Sequence, residues 1–416
     1  MTQTSSPLAI VNGRLVDPLG GVTAGGVLIR DGRIAAIGRL DVPAGAETID
    51  AKGALLAPGI VDLGSFAIDL PAFAAGGITR AGLMPDQSPP LDDAALVQRA
   101  AQAGKPGVWI HPIAAATRGL AGLELAEIGL MHAAGACAVA TGRRWIVDSG
   151  VMHRLLGYAS ALDLLVISHA EDSGLTGNAV ATEGETSTRL GLPAAPAAAE
   201  AMAVARDLML AEETGARIHF HQLTTARAFD LVREARRRGV KASCGISPAH
   251  LLLSDGAIGA FRTFARLSPP LRDESDRLAA IEAVRDGTVD ILCSAHDPQG
   301  PEAKRLPFAD AEPGMAGAET LLALALTLVR DGVIDMPRLF ALLSARPARL
   351  LGVPGGRLEE GAEADLILLD PDAPWRIDAD AMAARAGNTP FDGLPVQGKV
   401  LKTIKGGRPL DQRAEK

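Results

Sequence analysis

Eight short apolar runs recur along the middle of this chain, near residues 59–63, 79–83, 107–111, 136–140, 164–168, 216–221, 240–244 and 289–293, with helical patterns between them. A short apolar run followed by a crossover helix is one turn of a parallel sheet. Eight such units in series close into a (β/α)8 TIM-type barrel of the α/β class. The second run is the weakest of the eight. The strongest helical pattern spans 197–213, where Ala201, Val204, Leu208 and Ala211 recur at helical spacing. In such barrels the chemistry sits where the strands end, at their C-terminal tips.

The two ends of the chain read differently. From Leu8 to Ile49, β-branched runs alternate with Asn12-Gly13 and Asp31-Gly32 steps, which are hairpin signals. Strand-like material returns at Ala364–Leu369 and Val396–Gly407. The expected organisation is a small β-sandwich domain made from both ends, residues 1–57 and 352–416, around a barrel at 58–351. A length of 416 residues accommodates both.

Bulk properties exclude several functions. A formal charge of -8 gives no electrostatic case for nucleic acid. The compact basic run Arg236-Arg237-Arg238 precedes Gly239 and suits the last turn of a helix, where cations favour the dipole. Cys137, Cys244 and Cys293 are too few and too scattered for a disulfide framework and read as buried free thiols. The opening residues lack a secretory signal, and no apolar stretch approaches the roughly 20 residues that cross a bilayer. The expectation is a cytoplasmic protein without nucleic-acid or membrane partners.

Several local motifs point to one family. Pro58-Gly59-Ile60-Val61-Asp62 opens the first run, and Glu183-Gly184, Leu190-Gly191-Leu192-Pro193 and Arg206-Asp207-Leu208 follow the fifth. Later come His250-Leu251-Leu252-Leu253, Pro269-Pro270-Leu271-Arg272 and Asn388-Thr389-Pro390-Phe391. Together they resemble the cyclic amidohydrolases over nearly the whole chain, and dihydroorotase most of all. The resemblance implies an amidohydrolase-superfamily barrel with metal ligands at six rim positions.

Five of those six positions carry residues that do not suit a metal. The family's paired first-strand histidines fall on Gly64 and Phe66, and its bridging carboxylate falls on Thr141 or a neighbour within Ala140-Thr141-Gly142-Arg143-Arg144. The second histidine of its His-x-x-His motif falls on Gln222, and its Asp, both ligand and general base, on Ala295. His169 alone is kept. His221 adjoins Gln222, but a one-residue step on a strand reverses a side chain, so without a bulge it is a poor substitute. Substrate contacts decay in parallel, with Ile68 for the family's Arg and Asp86 for its Asn, while Arg272 and Glu319 remain.

Catalytic zinc needs about three protein ligands plus water, so no cofactor is expected. The rim should instead hold a vestigial pocket of His169, Gln222, His250, Arg272, His296 and Glu319. Non-catalytic dihydroorotase-like members, which the chain resembles in its lost first-strand histidines, imply a structural role beside the catalytic subunit of aspartate transcarbamoylase. A homo-oligomer is also open. Two alternatives stand against this pseudoenzyme reading. One is a divergent cyclic amidohydrolase with zinc relocated among His219, His221, His250 and His296; the other is a metal-free small-molecule binding protein.

Overall fold

The computed structural model describes residues 6–411. Residues 1–5, where no secretory signal is expected, lie outside the described residues. The barrel strands are β1 (Ile60–Ser65), β2 (Ile78–Leu83), β3 (Trp109–Ala115), β4 (Ala138–Ala140), β5 (Leu165–Ser168), β6 (Arg217–Phe220), β7 (Ala242–Ile246) and β8 (Ile291–Leu292). They are hydrogen-bonded in chain order, and each coincides with one of the expected runs, the weak second included.

The runs are apolar throughout because both faces of each strand are buried. On β5, Leu165 and Ile167 join the inner core with Leu63, Ile113, Ala138, Ala140 and Ile291. Val166, between them, joins the layer that the strands share with the helices. Phe73, Phe220, Phe229 and Phe340 are fully buried in that outer layer. The helix Ala198–Thr214 buries Ala201, Val204, Leu208 and Ala211 as its spacing requires, and ends at Gly215 in the left-handed conformation, φ 67°.

Closure between β1 and β8 relies on a side chain. Asp62 is fully buried, and its carboxylate accepts the Ser294 backbone N–H at 2.8 Å and the Ser294 hydroxyl. One layer higher, the Phe66 N–H donates to the His296 carbonyl at 2.9 Å. Burial pushes the Asp62 pKa up against these bonds. An unbonded carboxylate there would cost several kcal/mol, so the Ser294 donors are what make this staple tenable.

The chain ends form one eight-stranded sheet in the order 408–409, 395–405, 366–376, 55–58, 8–17, 21–30 and 33–38, with 47–50 pairing beside 8–17. The expected sandwich takes the form of this continuous sheet around its own core of Leu8, Ile10, Val27, Ile29, Leu56, Leu366 and Ile404. The basic run closes the helix Ala226–Arg237, with Arg236 and Arg237 in its last turn. Cys244 and Cys293 are buried, Cys137 is half-buried, and all three thiols are free. No helix among the described residues is long and apolar enough to cross a membrane.

Candidate functional site

Side chains from the tips of β1, β4, β6, β7 and β8 converge at the barrel mouth. Phe66, Arg143, Gln222, Ser247, His250, Ala295 and Asp297 line a cavity there of only about 20 Å³. Ligand pockets usually enclose roughly 300–1,000 Å³, so this one is filled by its own walls. The guanidinium of Arg143 is one of those walls, and the imidazole of His221 packs against another, Phe66.

Arg143 reaches inward from the loop after β4. Its guanidinium carbon lies 3.9 Å from the centre of the Phe66 ring, a cation-π contact. Its Nη1 lies 2.6 Å from Asp297 Oδ2, and its backbone N–H donates to Asp86 Oδ1 at 2.9 Å. Burial raises the Asp86 pKa in spite of Arg143. The mouth thus has a positive charge between two acids, supplied by a side chain. Replacing Arg143 by Met should cost about 2 kcal/mol in urea unfolding near neutral pH, less than a fully buried pair because 31% of the Arg143 side chain is exposed. The deficit should shrink as the pH falls, since protonating Asp86, whose carboxyl pKa burial already raises, removes uncompensated charge.

His221 overturns the expectation that it turns away from the mouth. β6 ends at Phe220, its odd-numbered positions face inward, and His219 meets the Ser243 hydroxyl at 2.9 Å. His221 continues that inward side. Opposite, β1 shifts register between Leu63 and Ser65, and Gly64 in this bulge has φ 108°. A Cβ on Gly64 would stand 1.9 Å from His221 Cε1. The imidazole therefore fills the space of the missing first-strand ligand and meets Phe66 edge-on, 5.8 Å between ring centres. Both its nitrogens are buried without a hydrogen-bond partner. Burial first, then His169 and Arg143, push its pKa down to about 3, so it packs as a neutral ring.

The one retained ligand is engaged elsewhere. His169 Nε2 lies 3.5 Å from Glu171 Oε2, and Glu171 Oε1 accepts from Arg272 Nη2 at 2.9 Å. Burial opposes the Glu171 charge, but the His169 ring and the Arg272 guanidinium outweigh it and hold the pKa at about 2. Thr141, at a lost carboxylate position, accepts the His169 backbone N–H at 3.1 Å. Arg272 is buried in this network and does not open into the mouth. The spacing His169-Ala170-Glu171 was the available signal for Glu171, since residues two apart in extended chain share a face.

The other expected pocket residues divide. His250 lines the cavity, but Ser247 and the Pro269 carbonyl occupy its two nitrogens at 2.9 Å each, and burial pushes its pKa down to about 4. His296 and Glu319 do not belong to the pocket. Ala295 adopts a left-handed φ of 47°, and the chain then carries His296 behind the mouth. There its Nδ1 accepts the Ala318 N–H at 3.2 Å, and its Nε2 faces Asp69 at 3.4 Å. Glu319 accepts the Ala383 N–H at 2.7 Å and lines a separate cleft with Leu322 and Trp375.

These residues do not fit a zinc centre. Among the described residues, no three His, Cys, Asp or Glu side chains gather as a metal requires. The donors nearest the mouth are already committed to an arginine or sit as a neutral ring in a ligand's place, and Gln222 offers a neutral amide.

Comparison with known proteins places the chain. The Amidohydrolase family profile matches residues 73–410. The dihydroorotase of Pelotomaculum thermopropionicum is 40% identical over 97% of this chain and 98% of its own length. A dihydroorotase-like protein of Pseudomonas aeruginosa is 39% identical over 96% and 98%. The solved L-hydantoinase of Arthrobacter aurescens superposes with a TM-score of 0.86 at 27% identity, over 98% of this chain and 96% of that one. The chain belongs to the amidohydrolase family and, within it, to the dihydroorotases.

Proposed function

We propose that this protein is a cytoplasmic dihydroorotase-family member of pyrimidine biosynthesis that carries out no zinc hydrolysis and serves as a structural partner of the aspartate transcarbamoylase catalytic subunit. The observation behind this reading is the Arg143 guanidinium, which lies between Asp297 and Phe66 at the strand tips where the family binds metal. A fixed cation there repels a divalent ion, and without a metal nothing brings the pKa of water to about 7. The name of the Pseudomonas aeruginosa relative, dihydroorotase-like, agrees with such a member. The partner rests on the resemblance to non-catalytic members.

The test is an assay of dihydroorotate and carbamoyl aspartate interconversion with zinc supplied, alone and with the transcarbamoylase, followed by sedimentation of the mixture. The expected result is no turnover that chelator removes, together with a complex of fixed stoichiometry. Zinc-dependent turnover would favour the divergent hydrolase instead. Separate sedimentation of the two proteins would dismiss the structural partnership.

A further inference from the structure

The outer helices of the barrel differ in what they show to water. The helix Ala226–Arg237 turns Arg227, Asp230, Glu234 and Arg237 outward, as a surface helix should. Its neighbour Ala198–Thr214 buries Ala199, Ala203, Val204, Leu208 and Ala211 against the barrel, yet carries Met202 and Met209 on its outer side, seven residues apart on one face.

This apolar face continues onto the preceding helices. Arg206, between the two methionines, donates to the carbonyls of Ile146 at 2.6 Å and Val147 at 3.1 Å, which brings Val147 beside them. His153 Nε2 lies 3.6 Å from Glu213 Oε1, so the helix Ser149–Ala161 runs along Ala198–Thr214. The hydroxyl oxygen of Tyr158 lies 2.6 Å from where a Cβ on Gly129 would stand, which adds Leu130. Leu130, Val147, Tyr158, Met202 and Met209 are each 43–64% exposed. Together they present on the order of 500 Å², more than scattered surface residues do and enough for the apolar centre of an interface of about 800 Å² per partner.

The charges at one end of the face are of opposite sign. Arg154 is exposed and has no ion-pair partner among the described residues, and its Nη1 lies over Gly150, 3.4 Å from where a Cβ would stand. Glu213, on the adjacent helix, is 70% exposed and is held by the His153 ring at 3.6 Å. A partner of one sign would satisfy one of these groups and repel the other. A second copy of the same face offers both.

We propose that this face is the interface of a homodimer, with a second copy docking across a two-fold axis beside Met209. An isologous contact sets each patch against itself, so Met209 packs on its counterpart and Arg154 of each copy meets Glu213 of the other.

The test is sedimentation velocity of the full chain, without the transcarbamoylase, over concentrations from nanomolar to high micromolar. The expected result is a dimer that dissociates on dilution. Met209→Glu sets two carboxylates together at the axis and should weaken association on the order of 100-fold, as loss of a central anchor does. Thermal unfolding of the dilute monomer should be unchanged, because the side chain faces water. Arg154→Glu should also release monomer, and adding Glu213→Arg should restore the dimer. A monomer at every concentration, or a dimer indifferent to Met209→Glu, would overturn the proposal. A chain that is monomeric alone, and whose complex with the transcarbamoylase is lost on Met209→Glu, would assign the face to that partner instead. The dimer is measured on the chain alone, so its failure and that of the structural-partner reading are told apart.

Discussion

Replacing Arg272 by Met should lower the unfolding free energy by about 4 kcal/mol, because removing one member of a buried charge network leaves the others unpaired. The Arg272 side chain is only 3% exposed, and its donors are spread over four acceptors. Nε donates to Thr224 at 2.8 Å, Nη1 to Thr182 at 3.1 Å, and Nη2 to Glu171 at 2.9 Å and Glu200 at 3.4 Å. Glu200 would keep its bonds from the backbone and hydroxyls of Thr224 and Thr225. Glu171 would keep only the His169 ring, so most of the loss falls there.

The pH dependence follows from Glu171. Its folded pKa of about 2 lies below the ordinary 4.5. A carboxylate depressed on folding contributes stability that is fully present above its unfolded pKa and is lost as pH falls through the folded one. Wild-type stability should therefore drop between about pH 4.5 and pH 2, by on the order of 3 kcal/mol from this group. Arg272→Met should flatten that slope. Urea unfolding at a series of pH values measures both effects, and a variant as stable as the wild type with an unchanged acid slope would show that the network contributes nothing.

The barrel was legible because burial on both faces of every strand leaves an uninterrupted apolar run, a signal that needs no tertiary knowledge. Lost ligands were legible wherever the substitute lacks an electron pair, as at Gly64, Phe66 and Ala295. What replaced them was not, because the replacements come from other strands. Arg143 stands in the segment at the lost carboxylate position, yet its seat on Phe66 and its bond to Asp297 join residues 77 and 154 positions away. Alternation counted from Gln222 turns His221 away, but β6 ends at Phe220, so Gln222 lies beyond the strand and lines the cavity as well. Counted from His219, alternation sends His221 inward. Motif position places His296 and Glu319 in the pocket, but the left-handed backbone at Ala295, invisible in a sequence, carries His296 out of it.

Restoring the first lost ligand should fail. Gly64→His is expected to destabilise the protein by about 4 kcal/mol, the sum of an overpacked contact and a side chain forced into a glycine backbone conformation, each worth roughly 1–3 kcal/mol. The added Cβ would overlap His221, standing 2.7 Å from each ring nitrogen, at a φ of 108°. Adding His221→Ala removes the overlap but not the backbone strain. The pair should therefore be non-additive, with the double variant recovering about half of the single loss. Zinc should bind neither variant, because Arg143 still brings its charge to the mouth and His169 still faces Glu171. Denaturant unfolding of both variants with a zinc titration decides the matter. Wild-type stability for Gly64→His, or one tightly held zinc, would mean that the imidazole of His221 yields easily and that the mouth is open to metal. Otherwise the glycine and the histidine across from it hold one another in place, and a single reversion cannot rebuild a metal site.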